Sequence, residues 1–115
     1  MTSFYRATFW AALALTLVVA LLPHPPQVPL TNDKLQHAVA FATLAVLGLM
    51  AYPSFSILRL LIALSAFGGL IELLQAIPVL HRDCDPLDWL TDTVAACVVT
   101  AFVHWIRYTR ENHDR

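Results

Sequence analysis

Four long apolar runs divide this chain, and they leave few folds open to it. The first is "FWAALALTLVVALL", Phe9 to Leu22, extendable back to Phe4. The second is "LQHAVAFATLAVLGLMAY", Leu35 to Tyr52. The third is "ILRLLIALSAFGGLIELLQAI", Ile57 to Ile77, and the fourth "WLTDTVAACVVTAFVHWI", Trp89 to Ile106. Crossing the hydrocarbon core of a bilayer takes about 17–25 residues of helix. The third run meets this outright, and the others meet it once their flanking interfacial residues are counted. Runs of this length, rich in Ala and Leu, are poor strands. The expected fold is therefore all-α, a bundle of four transmembrane helices over 5–22, 35–52, 57–77 and 88–107, in one domain covering 1–115.

Composition agrees. Of the residues, 58% are hydrophobic and 13% charged, where soluble domains carry about 25% charged residues. There is too little charge to coat a soluble surface. No basic patch interleaved with aromatics appears, so nucleic acid is not an expected partner. Cys84 and Cys97 are thirteen positions apart, about 20 Å along a helix, and within one helix they cannot pair.

The connections are short and punctuated. "PHPPQVPLTND" holds four prolines and reads as extended. "PSFS" makes the second turn and "PVLHRDCDP" the third. No A-x-A-like site follows the first run, so it is read as a retained span and not a cleaved leader. With four spans, Arg6, Arg59, Arg107, Arg110 and Arg115 share one side, against Lys34 and Arg82 on the other. The positive-inside rule then puts both termini in the cytoplasm.

The ionisable residues collect at the opposite, outer end. Asp33, Lys34 and His37 open the second helix, and Glu72 and Gln75 close the third. His81, Arg82, Asp83 and Asp85 lie in the loop, and Asp88 and Asp92 open the fourth helix. Six of the eight acidic residues fall here. Asp33 and His37 share a helix face at i, i+4, as do Asp88 and Asp92; Glu72 and Gln75 share one at i, i+3. Glu72 lies about 7.5 Å below Ile77, inside the apolar layer. A carboxylate there is costly and marks a function by default. Its expected partners are Arg82, His37 or Lys34. Asp85-Pro86-Leu87-Asp88 reads as a helix start, with Asp85 as N-cap, Pro86 at N1 and Asp88 at N3. No H-x-x-x-H or E-x-x-H spacing is present, so neither a metal nor another cofactor is expected. Trp10, Trp89 and Trp105 read as interfacial anchors, and Gly68-Gly69 as a close helix contact.

The ordered set "DKLQHAVAF", "IELLQ" and an Arg six residues before "DWLTDTVA" resembles the VanZ-like membrane proteins. These show D-K-x-x-H-x-x-x-F, then E-x-x-Q, then Arg ahead of D-x-x-x-N-x-x-G. The matching residues are Asp33, Lys34, His37, Phe41, Glu72, Gln75, Arg82 and Asp88, within Asn32 to Thr100. Asp92 stands where the family usually has Asn, and Ala95 where it has Gly, which makes this version more acidic. The resemblance implies a small multi-pass bacterial membrane protein; the family's namesake is associated with low-level teicoplanin resistance.

Two readings stand. In the first, the outer end forms a polar pocket that engages an envelope lipid or lipid-linked cell-wall component. Lys34 and Arg82 would meet an anionic group, with Asp33, Gln75, Asp88 and Asp92 around it. His37 and Glu72 would be the acid/base pair if chemistry occurs. In the second, the charges only lock the bundle, and the protein works through partner contacts or as a homodimer. A proton pathway is the weaker third, because the inner halves of the helices lack ionisable residues apart from His104.

Overall fold

A computed structural model describes residues 2–22, 33–80 and 85–113. Among them are four long helices: α1 (Thr2–Leu21), α2 (Asp33–Ala51), α3 (Ile57–Gln75) and α4 (Pro86–His113), with a single 3-10 turn at Pro78–Leu80. All four are long and apolar enough to cross a membrane. The expected helices are thus present, with shifted ends. α2 stops at Ala51 because Tyr52 precedes Pro53, and a residue before proline is driven out of the helical region. α3 stops at Gln75 for the same reason, since Ile77 precedes Pro78. α4 meets no glycine or proline after Pro86 and runs for 28 residues, about 42 Å.

α2 packs against all three other helices, most extensively against α4 and then α1. α3 packs chiefly on α4, and the α1–α3 seam is the slightest of these contacts. The bundle measures 56 × 27 × 27 Å. Successive helices run in opposite directions, so the end of α1, the start of α2, the end of α3 and the start of α4 share one end of the bundle.

The buried stripes explain the packing. On α2 it is Phe41, Leu44, Ala45 and Leu49; on α3 it is Leu60, Leu64, Gly68, Ile71, Glu72 and Gln75. On α4 it is Asp88, Asp92, Ala96 and Thr100, at strict four-residue intervals. The core is therefore apolar toward one end and carboxylate-rich toward the other. The outer surface reverses the pattern of a soluble protein. Phe4, Leu15, Leu58, Leu73, Val98 and Phe102 are all more than half exposed, while Asp92 is 0% exposed. The threonines fit this inversion. Thr8, Thr16, Thr43, Thr91, Thr93, Thr100 and Thr109 each donate their hydroxyl to the carbonyl four residues earlier. None of these hydroxyls depends on water for a partner.

Two glycines set the closest approaches. A Cβ on Gly48 would lie 2.8 Å from a Leu60 methyl carbon and 3.3 Å from the Phe9 ring. Gly48 thereby lets α1, α2 and α3 converge. A side chain there overpacks a filled core, which costs about 1–3 kcal/mol. Gly48→Val is expected to lose that much in detergent unfolding, with the helix content of the folded state unchanged; an unchanged midpoint would show that this contact does not hold the bundle.

Candidate functional site

The carboxylate-rich end is built from three helix termini. The start of α4 is fixed first. Asp85 caps it, accepting the Leu87 N–H at 3.0 Å through its side chain and the Asp88 N–H at 2.9 Å through its carbonyl. Pro86 occupies the first helical position, where its missing N–H costs nothing. The predicted helix start is therefore found as read. Asp88 and Asp92 follow on one face of α4 and turn into the bundle.

α2 meets this face with two donors. Lys34 Nζ donates to Asp85 Oδ2 at 3.0 Å and to Asp88 Oδ1 at 3.1 Å. One turn deeper, His37 Nδ1 lies 3.0 Å from Asp92 Oδ1. An ionised Asp92 has only acceptors, so His37 carries its proton on Nδ1 and donates it there. His37 Nε2 then faces Asp88 Oδ2 at 3.7 Å, beyond hydrogen-bonding distance. The arrangement is an Asp-oriented histidine with its second nitrogen directed toward a carboxylate rim.

α3 supplies the floor. Glu72 Oε2 accepts the backbone N–H of Asp85 at 2.9 Å. It forms no ion pair with Lys34 or His37, both of which are taken by the aspartates of α4. Of the three expected cation partners, Lys34 and His37 are thus engaged elsewhere, while the capped turn of α4 brings a backbone donor to Glu72; Arg82 lies outside the described residues. Glu72 also interacts electrostatically with Asp88 and Asp92, so negative charge is concentrated here. Gln75 reaches elsewhere, donating through Nε2 to the Ala20 carbonyl in the last turn of α1 at 2.9 Å. That carbonyl belongs to a helix end and has no intrahelical partner.

Asp92 is seated by residues whose roles individual spacing did not reveal. Its Oδ2 would be 3.1 Å from a Cβ on Gly68, so the glycine makes the niche in which the carboxylate lies. Beside it, Trp89 donates through Nε1 to the Ser65 carbonyl at 3.0 Å, and Ser65 and Thr93 hydroxyls meet at 3.1 Å. The Gly68-Gly69 pair is the close α3–α4 contact expected from sequence. Ser65 and Thr93 carried no signal of their own, although each falls on the α3–α4 seam by helical spacing.

Among the described residues three buried acceptors have no hydrogen-bond partner: Glu72 Oε1, Gln75 Oε1 and Asp92 Oδ2. Their residues are 6%, 1% and 0% exposed. An unmet buried acceptor costs about 1–3 kcal/mol, more when charged. Arg82, with the rest of 81–84, lies outside the described residues, as does the side chain of Asp33. Of the other predicted site residues, Lys34, His37, Glu72, Asp88 and Asp92 converge, and Gln75 sits one turn from Glu72 with its amide committed to α1. Among the described residues no three His, Cys, Asp or Glu side chains are placed to hold a metal ion.

Asp85 sits outside the helices, and Lys34 and the Leu87 N–H hold its carboxyl below the ordinary Asp value of 3.8. A lowered folded-state value means that its contribution is fully present above 3.8 and fades as pH falls through the lowered value.

No protein-family model, curated protein or solved structure matches this chain.

The His37–Asp92 pair is the deepest charged contact of the site. Removing His37 leaves a fully buried carboxylate uncompensated, at a cost of about 3–5 kcal/mol. His37→Ala is expected to lose stability in that range. Asp92→Asn in the same background is expected to recover part of it, giving a coupling of about 1–3 kcal/mol in a double-mutant cycle. Additive losses would show that the two side chains do not act as a pair.

Proposed function

We propose that this chain is a four-span protein of the bacterial cytoplasmic membrane, with both termini cytoplasmic. Its acidic end faces outward and binds the head group of an envelope lipid or lipid-linked cell-wall component. The observation that carries the reading is the trio of buried acceptors, on Glu72, Gln75 and Asp92, that find no donor among the described residues. They call for a ligand bearing hydroxyls or amines, as a sugar or amino head group does. Lys34 uses two of its three N–H donors on Asp85 and Asp88, and the third, without a partner among the described residues, would meet a phosphate. Arg82 would add to it.

The membrane placement is supported by the apolar exterior, the internally bonded threonines and the charge asymmetry of the two ends. The bacterial setting, a link to teicoplanin resistance and kinship with VanZ-like proteins belong to the same proposal. They rest on the ordered residues Asp33, Lys34, His37, Phe41, Glu72, Gln75, Arg82 and Asp88. If the bound group reacts, His37 is the base. Asp92 fixes its Nδ1 proton and leaves Nε2 to take one from a ligand hydroxyl. Glu72, in its protonated form, would be the acid of the pair.

A second reading has its own support. Lys34 and His37 are both engaged by carboxylates of α4, which is also what a purely structural lock would show.

The test uses purified protein in detergent with two probes, a polyprenyl-diphosphate-linked saccharide and the matching polyprenyl phosphate without sugar. The saccharide lipid is expected to raise the unfolding temperature, and Glu72→Gln to weaken its binding about tenfold or more. The sugar-free lipid is expected to show no dependence on Glu72. Absence of stabilisation by the saccharide lipid, or equal binding by the variant, would refute the head-group reading. Alkaline extraction of cell membranes separately checks the placement: the protein is expected to stay in the pellet.

A further inference from the structure

The end of the bundle away from the carboxylates carries a second feature, and it has the shape and polarity of a lipid. The slight α1–α3 seam leaves a groove of about 510 Å³, within the roughly 300–1,000 Å³ of small-molecule sites. Its walls are Phe9, Trp10 and Leu13 of α1 and Leu60, Ala63, Leu64 and Phe67 of α3. Along each helix these span about 6–10 Å, and the one polar side-chain atom among them, Trp10 Nε1, is bonded to the Tyr52 hydroxyl. The groove runs up to Tyr52 and Phe55 in the α2–α3 turn. There it joins a smaller recess of about 210 Å³ that shares those two rings and adds Arg6, Pro53 and Ser54.

Arg6 is held ready at this mouth. Its Nε donates to the Ala51 carbonyl at 3.0 Å, and its guanidinium stacks over the Tyr52 ring, 4.7 Å from the centroid. Tyr52 is itself fixed by the Trp10 Nε1 donor at 2.8 Å. These contacts orient the guanidinium without neutralising it. Among the described residues no carboxylate pairs with Arg6, and the outer nitrogens of the fork stay available. Two further features raise the positive potential. Ser56 caps α3 without a side-chain hydrogen bond, and Arg59 lies in the first turn of α3. A planar fork with two parallel donors matches a phosphate.

We propose that this groove binds one anionic phospholipid, its phosphate on Arg6 and one acyl chain between α1 and α3. The inference rests on the membrane placement of the bundle and is independent of what the acidic end binds. In this arrangement the lipid fills the slightest seam of the bundle and completes the packing of α1.

The test is native mass spectrometry of the purified full chain in detergent. Phosphatidylglycerol is added in one series, and phosphatidylcholine with the same acyl chains in the other. Wild type is expected to retain one phosphatidylglycerol in preference to phosphatidylcholine by about tenfold, because both carry the phosphate but the choline ammonium neutralises it and is repelled by Arg6. Arg6→Gln is expected to bring the two lipids to parity, and Arg6→Lys to keep part of the preference. Ala63→Phe, which fills the groove, is expected to remove retention of both. Equal retention of the two lipids by wild type, or an undiminished preference in Arg6→Gln, would overturn the proposal. Neither result bears on the saccharide-lipid binding at the other end, so the two sites fail or stand separately.

Discussion

The seam between α2 and α4 is zipped by Lys34 and His37 on one side and Asp85, Asp88 and Asp92 on the other. In a hydrocarbon environment this seam matters more than its size suggests. Lipid tails are as apolar as leucine, so burying Leu or Phe between helices gains little from solvent. Packing and polar contacts have to hold the helices together instead. α4 shows the consequence most plainly. Its inward stripe, Asp88, Asp92, Ala96 and Thr100, contains no large apolar side chain at all. The helix is held by hydrogen bonds and by the close contact of Gly68 with Asp92 at one end, and further along by Ala96 with Val99 and Val103 at its flank.

From that seam the two ends of the molecule acquire different chemistries. Among the described residues, Glu72, Gln75 and Asp92 at the carboxylate end each keep an oxygen without a donor. At the other end, Arg6 is oriented by Ala51 and Tyr52, with no acidic partner among the described residues. Within that set, one end is short of donors and the other is short of an anion. Both deficits can be met by amphiphiles whose tails lie along the apolar exterior. The Glu72, Asp88 and Asp92 carboxylates are close enough to interact, and His37 offsets part of their repulsion.

Much of this was legible from residue order. Four apolar runs with proline-marked turns gave four helices, and the pre-proline rule explains the ends at Ala51 and Gln75. The i, i+4 spacing of Asp88 and Asp92 gave a shared inward face, and Asp85-Pro86 gave the cap. What residue order could not supply was the choice of partner across helices. Glu72 invited a cation, yet among the described residues its donor is the Asp85 backbone, delivered by a turn whose position depends on the packing of α4. Gln75 shares the inward face of Glu72 but satisfies an open carbonyl at the end of α1, a group with no side-chain signature. Ser65, Trp89 and Thr93 matter through a contact that exists only once Gly68 and Gly69 let α3 and α4 close up. The Arg6–Tyr52 mouth joins residues far apart in sequence, and each alone reads as an ordinary interfacial residue.

The central claim is that Glu72 is kept for a ligand and not for the stability of the bundle. Thermal unfolding of Glu72→Gln against wild type in detergent, without added lipid, tests it most directly. The glutamine oxygen can still accept the Asp85 N–H, while one of three crowded negative charges disappears. The account predicts a variant as stable as wild type or more so, since groups held for function commonly cost stability. A loss of about 3–5 kcal/mol, the scale of a broken buried ion pair, would contradict it and make Glu72 part of the lock between the helices.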